Sequence, residues 1–246
     1  MSLGGCKVLN LPLGFSDAGI IKDEVEIRAM TGVEEEILTD ENLSLSDRLN
    51  KMVTGCLNRI GDVTDKEKIA QMFGKLGVED QTVILIGLRA ISVGETYSYD
   101  VICPSCTAPS TINLDLSSLK IEESPAKKNP VTEVTLPSGA KAKIKPLLVE
   151  DIKRVEKELL RVENDSAKAS VVIMVRLLEL NGKVNPDLED VRQMLFGDRV
   201  FIRGMFDKLE GGVETELYVK CEKCGSVFRS LLDIGRLEFF MPRMPV

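Results

Sequence analysis

The spacing of apolar positions divides the chain into stretches of helical period and stretches of strand period. Residues 24–30 alternate polar and apolar side chains and predict a short strand. Thr31 and Glu34 then stand three apart, the spacing of a capping box, and predict a short acidic helix through Glu34, Glu35, Glu36, Ile37 and Leu38. Ser46 caps a second expected helix, in which Leu49, Met52, Val53, Cys56 and Ile60 keep the spacing of one buried stripe. Thr64 and Glu67 repeat the capping-box spacing ahead of a third stripe, Ile69, Met72, Phe73 and Leu76, which Gly77 is expected to end. Residues 79–93 are apolar on most sides, as a thoroughly buried helix is, and Gly94 stops them. The first third therefore reads as mostly helical.

At Glu95 the period changes to two. Tyr97, Tyr99 and Val101 alternate with polar residues up to Cys103-Pro104-Ser105-Cys106, and Ile112, Leu114 and Leu116 alternate beyond it, which predicts strand, CxxC turn, strand. Residues 122–130 carry two Pro, two Lys and two Glu and read as a linker. Residues 131–144 predict a hairpin that turns at Pro137-Ser138-Gly139. Four helices follow. The first aligns Leu148, Ile152, Val155, Leu159 and Val162, the second covers 166–180, Asn185-Pro186-Asp187 announces the third, and the fourth aligns Ile202, Met205, Phe206 and Leu209 before Gly211-Gly212. Period two returns at Leu217 and Val219, enters Cys221-Glu222-Lys223-Cys224-Gly225 and leaves through Val227, Arg229 and Leu231. No repeat with a period of 20–50 residues is visible, but the two strand–CxxC–strand units are a matched pair. The expectation is an α+β protein: a mostly helical section over 1–94, the first half of a zinc ribbon with its linker over 95–130, an inserted hairpin-and-helix module over 131–210, and the second ribbon half with a tail over 211–246.

Composition narrows the chemistry. With 43% apolar and 29% charged residues the chain has material for a core, and its net charge of −7 argues against broad binding of nucleic acid, which runs on excess cations. The pair Lys127-Lys128 is too short to change that. Aromatics make up 4% and Trp is absent, so base-stacking platforms are not expected. There is no His, which removes Ser–His–Asp and Cys–His catalysis and every zinc site that needs imidazole. Gly4-Gly5 and Gly211-Gly212 lack the strand–loop–helix setting of a phosphate loop. No apolar run approaches a membrane span and the first fifteen residues lack a signal-peptide pattern, so the expected setting is a reducing cytosol, where paired cysteines favour metal over disulfide.

Six cysteines remain. Cys103, Cys106, Cys221 and Cys224 are the candidate ligands of one structural zinc, because two CxxC turns facing each other supply four thiolates and leave no open position for catalysis. The 114 residues between Cys106 and Cys221 call for a whole module between the two halves of the site. Thr107 stands where such knuckles often carry Gly, the residue found at Gly225. Two other readings stay open: a redox CxxC, which wants a helix where Pro109 and a strand pattern follow, and four free thiols. Cys56 reads as a small buried hydrophobe and Cys6 as a free thiol. The acidic run Glu34-Glu35-Glu36 suits either a docking patch or a solvated first turn. Phe239, Phe240 and Met241 either pack on the chain's own core or insert into a partner, and partner contact is the functional expectation.

Several of these stretches carry a resemblance. Val25-Glu26-Ile27-Arg28-Ala29-Met30-Thr31-Gly32-Val33-Glu34-Glu35-Glu36-Ile37-Leu38 resembles the opening signature of the T-even-type bacteriophage baseplate hub and tail-assembly family. So does the later order of Leu88-Arg89-Ala90-Ile91-Ser92-Val93-Gly94-Glu95-Thr96-Tyr97, a strand, and the first CxxC; Val134-Thr135-Leu136-Pro137-Ser138-Gly139 with Ile144-Lys145-Pro146-Leu147 is similar to a hairpin of phage tail-assembly proteins. The similarity covers residues 24–145 and the closing CxxC. It implies a non-enzymatic structural or assembly component of the contractile-tail baseplate, in its hub region. Such a component sits in the virion, and in the host cytoplasm during assembly. It contacts other tail or baseplate proteins, and takes no small-molecule substrate, no nucleic acid and no membrane span. The family supplies no catalytic residue to carry over. The alternatives are an assembly chaperone absent from the mature particle and a cytosolic zinc-ribbon adaptor.

Overall fold

The structure is a computed structural model that describes residues 5–17, 19–162 and 167–241. Residues 1–4, the expected helix start at Ser166 and the tail from Pro242 onward lie outside them. The fold is α+β. The chain opens not on helix but on a long hairpin, β1 (Cys6–Asp17) and β2 (Ile20–Arg28), with β3 (Leu57–Ile60) on the far edge of β2. Leu9, Leu11, Leu13 and Phe15 recur at every second position of β1, but the pairing with β2 shifts register between Asn10 and Phe15, a stretch that holds Pro12 and Gly14 (φ 70°).

The helices α1 (Gly32–Thr39), α2 (Leu45–Cys56), α3 (Lys66–Gly74) and α4 (Val78–Ser92) follow. The capping box of α1 forms as expected, with the Thr31 N–H donating to Glu34 Oε2 at 2.8 Å. Three boundaries differ from expectation. Ser44, not Ser46, caps α2, accepting from the Asp47 N–H. Asp65, not Thr64, caps α3, accepting from the Lys68 N–H at 2.9 Å. Gly77 is the cap before α4 rather than the end of α3. Ile60 leaves the α2 stripe because the chain runs straight from α2 into β3.

Next come the antiparallel pair β4 (Thr96–Ile102) and β5 (Pro109–Asp115), and the short β6 (Ile121–Glu122). The expected hairpin is β7 (Thr132–Thr135) and β8 (Lys141–Ile144), followed by α5 (Val149–Arg161) and α6 (Lys168–Arg176). The helix expected over 166–180 stops at Arg176. Residues beyond it form β9 (Leu177–Leu180), which pairs with β8 and turns through Asn181 (φ 48°) and Gly182 (φ 81°) into β10 (Lys183–Val184). After α7 (Leu188–Gln193) and α8 (Phe196–Glu210), β11 (Gly212–Val213) pairs with β6, β12 (Glu216–Lys220) with β13 (Val227–Leu231), and α9 (Leu237–Phe240) closes the described chain.

The order hairpin, two helices, strand, two helices, ribbon occurs twice. The agreement extends to register. Val25, Glu26 and Ile27 face Ile60, Arg59 and Leu57, with a bulge; Ala142, Lys143 and Ile144 face Leu180, Glu179 and Leu177, with the same bulge. Arg28 pairs with Glu34 at the start of α1, as Lys145 does with Asp151 at the start of α5. Leu11-Pro12-Leu13-Gly14 matches Leu136-Pro137-Ser138-Gly139, with positive φ at both glycines. The Leu13 N–H donates to Asp80 of α4 at 2.8 Å, and the Ser138 N–H donates to Asp198 of α8 at 3.0 Å. Asp65 and Asp187 cap α3 and α7, and each is followed by Glu two residues on and Gln-Met six and seven residues on. The helices α4 and α8 both have 15 residues. Cys103 and Cys221, 118 residues apart, occupy the same place in each unit.

The two units interlock. The first core holds Leu38, Met52, Ile84 and Leu88 together with Val213, Leu232, Phe239 and Phe240 from the chain's end, and the second core holds Ile144, Val171, Ile202 and Phe206 together with Leu13 from β1. At the junction Glu79 of α4 meets Glu210 of α8, which pairs with the buried Arg176 at 2.9 Å. Burial, then the neighbouring Glu210 and Asp80 charges, push the Glu79 carboxyl up to about 7, against a backbone hydrogen bond from Val213. The folded state therefore keeps a proton that the unfolded chain releases near pH 4.5. Stability should fall as pH rises from about 4.5 to about 7 and level off above, by about 3 kcal/mol. Glu79→Gln should flatten that slope and melt higher than the parent at pH 8; an unchanged slope in thermal melts from pH 4.5 to 8 would remove Glu79 as its source.

Candidate metal centre

Each CxxC lies in the turn of a two-stranded antiparallel ribbon, Cys103 and Cys106 between β4 and β5, Cys221 and Cys224 between β12 and β13. The turns are built alike. The Thr107 N–H donates to the Cys103 carbonyl at 2.9 Å and the Gly225 N–H to the Cys221 carbonyl at 2.8 Å. The Cys103 and Cys221 N–H groups donate to the carbonyls of Ala108 and Ser226, both at 2.9 Å. Thr107 (φ 58°) and Gly225 (φ 75°) share the left-handed conformation such a turn requires; the Thr107 hydroxyl donates to the Cys106 carbonyl.

The inner faces of the two ribbons meet, with Tyr99 Oη and Ser230 Oγ 3.4 Å apart, and this brings the four sulfurs together. All four Sγ atoms lie within 4.8 Å of one another. Cys103 to Cys224 is 3.8 Å and Cys106 to Cys221 is 3.7 Å; exchanging the units turns one pair into the other. Four thiolates bound tetrahedrally at about 2.3 Å stand about 3.8 Å apart, so the separations suit a four-coordinate soft cation and are far too long for disulfides. Cys103 and Cys221 are buried with Ala108 and Phe228 packed on them, Cys106 is half-buried and Cys224 is exposed. Desolvation works against the Cys103 thiolate, but the N–H groups of Cys106 and Ser105 bring its thiol down to about 6.

Ser105 and Ser226 are not legible as site residues in the sequence, yet their hydroxyls bridge the two turns at 2.9 Å. Cys56 is buried in the first core, with burial and then the Glu34 charge pushing its thiol up to about 12, and Cys6 is exposed. In the acidic run, Glu34 is buried and bonded to Arg28, while Glu35 is exposed. Phe239 and Phe240 are buried in the chain's own first core and Met241 is half-buried against it. Among the described residues no helix is long and apolar enough to cross a membrane.

A protein-family model described as T4 bacteriophage base plate protein matches residues 16–241. No curated protein and no solved structure matches the chain.

Proposed function

The chain belongs to the T4 bacteriophage base plate protein family, and from that premise we propose that it serves the hub region of a contractile-tail baseplate as a non-enzymatic component, with one structural zinc held by Cys103, Cys106, Cys221 and Cys224. Membership indicates a structural protein of the virion tail whose partners are other tail proteins. The observation that supports the metal is the sulfur tetrad, drawn two and two from the equivalent turns of both units. Four protein thiolates fill a tetrahedral shell, so the ion fastens the ribbons to each other rather than polarising a substrate. The alternative fate is a factor that leaves before the particle matures.

Metal analysis of chain purified without chelator should give about one zinc per chain, as a closed four-thiolate site does. Less than about 0.3 equivalents in fresh, reduced protein would overturn the zinc assignment. Mass spectrometry of purified particles decides the fate: presence supports the permanent subunit, and absence alongside presence in assembly intermediates selects the assembly factor.

A further inference from the structure

We propose that the bare face of α8 is a self-complementary interface through which two copies of this chain pair, α8 against α8 and antiparallel. The repeated architecture supplies the comparison. In the first unit, Val83, Ile86 and Ala90 of α4 line one cavity with Leu116, Leu119 and Val213, chain segments that roof the helix. The equivalent positions of α8, 118 residues on, are Phe201, Gly204 and Lys208. The segment after the second ribbon does not return to roof them, because Leu232, Ile234 and Phe239 pack into the first core. Val83 is 2% exposed and Phe201 37%; beside it Val200 is 47% and Phe196 76% exposed. A phenylalanine that open on a helix with no roof marks an interaction surface.

The glycines carry the argument to a particular occupant. A side chain at Gly204 would meet nothing within 4 Å, so the chain's own packing gives no reason for a residue that weakens a helix interior. Phe196, Val200 and Gly204 follow one another at four-residue steps, a ridge of the kind that interdigitates between helices. An antiparallel copy centred on Val200 sets Phe196 of each chain over Gly204 of the other, knob into hole, twice by symmetry. Charge agrees with this arrangement. Among the described residues no carboxylate pairs with Arg203 near the far end of the face, while the exposed Glu189 of α7, whose own partners are its helix neighbours Arg192 at 3.8 Å and Gln193 at 2.7 Å, lines a cavity with Leu195 and Asp198 at the near end. Antiparallel pairing brings each Arg203 towards the other chain's Glu189 end. The four cysteines take no part, so this pairing stands or falls separately from the zinc and from the place in the particle.

Sedimentation velocity on the full, zinc-supplied chain from about 5 to about 200 µM should show a reversible monomer–dimer equilibrium, as a small apolar interface gives. Phe196→Asp and Gly204→Leu should each weaken it at least about tenfold. Gly204→Leu should at the same time raise the melting temperature by about 2–4 °C through helix propensity, a combination that misfolding cannot produce. A chain that stays monomeric throughout overturns the proposal, as does a dimer that survives both variants. A monomeric parent whose Phe196→Asp form is excluded from particles assigns the face to a different tail protein and equally overturns self-pairing.

Discussion

Cys221→Ser is expected to reduce bound zinc from about one equivalent to nearly none and to free the two ribbons from each other while both cores persist. The size of the effect follows from what holds the ribbons. Each has two strands, and a lone two-stranded hairpin is marginal in water. A structural zinc supplies about 10–16 kcal/mol of binding free energy in small modules, more than the contacts of Tyr99 with Ser230 and of Ser105 with Ser226 can replace. The rest of the chain has its own support, since Met52, Ile84 and Leu88 in one core and Val171, Ile202 and Phe206 in the other lie away from the tetrad. Hydrogen exchange should therefore rise along β4, β5, β12 and β13 and stay low in α4 and in β2. Cys103→Ser, at the equivalent position of the first unit, should match it, whereas Cys6→Ser should keep the metal because Cys6 is exposed and remote from the tetrad. Full zinc content in Cys221→Ser, or unchanged exchange in the ribbons, would separate the cysteine tetrad from any stapling role.

The sequence carries the site more clearly than the fold because the ribbons are local objects. Period two on either side of CxxC needs nothing distant to be read, and neither does the Thr31–Glu34 box. The strands β3 and β9 depend on partners elsewhere in the chain. Leu177–Leu180 continues the apolar run of α6 and is strand only because β8 offers an edge, although Asn181-Gly182 is a hairpin signal in its own right. The repetition is hidden for another reason. What recurs are residues that hold backbone, such as Leu-Pro-x-Gly with its aspartate partner and the caps Asp65 and Asp187, while side-chain pairs have drifted. Glu26 with Arg59 becomes Lys143 with Glu179, the charges exchanged across the same register. The long interval between the two CxxC pairs thus matches the step from one unit to the next.

Phe239→Ala is expected to cost about 3–5 kcal/mol and to lower the melting temperature by about 10 °C, although this ring lies only seven residues from the chain's end. The ring is fully buried. It meets Tyr97 edge to face at 4.9 Å and Phe240 at 5.1 Å, and the Arg89 guanidinium lies 5.9 Å from its centre. Arg89 is itself buried at the end of α4, donating to the carbonyls of Gly94 and Thr96, so the ring also covers a charge that water would otherwise reach. Removing it leaves a cavity between α4 and β4 that Tyr97, stacked on Tyr99, cannot easily collapse into. Leu160→Ala on α5 is the control: truncating an apolar side chain that is 87% exposed should leave the melting temperature within about 1 °C. A tail that only awaited a partner would give the opposite pattern, with Phe239→Ala melting like the parent and failing only at incorporation into particles. That result would remove the tail from the chain's own core and return Phe239, Phe240 and Met241 to the docking surface expected from sequence.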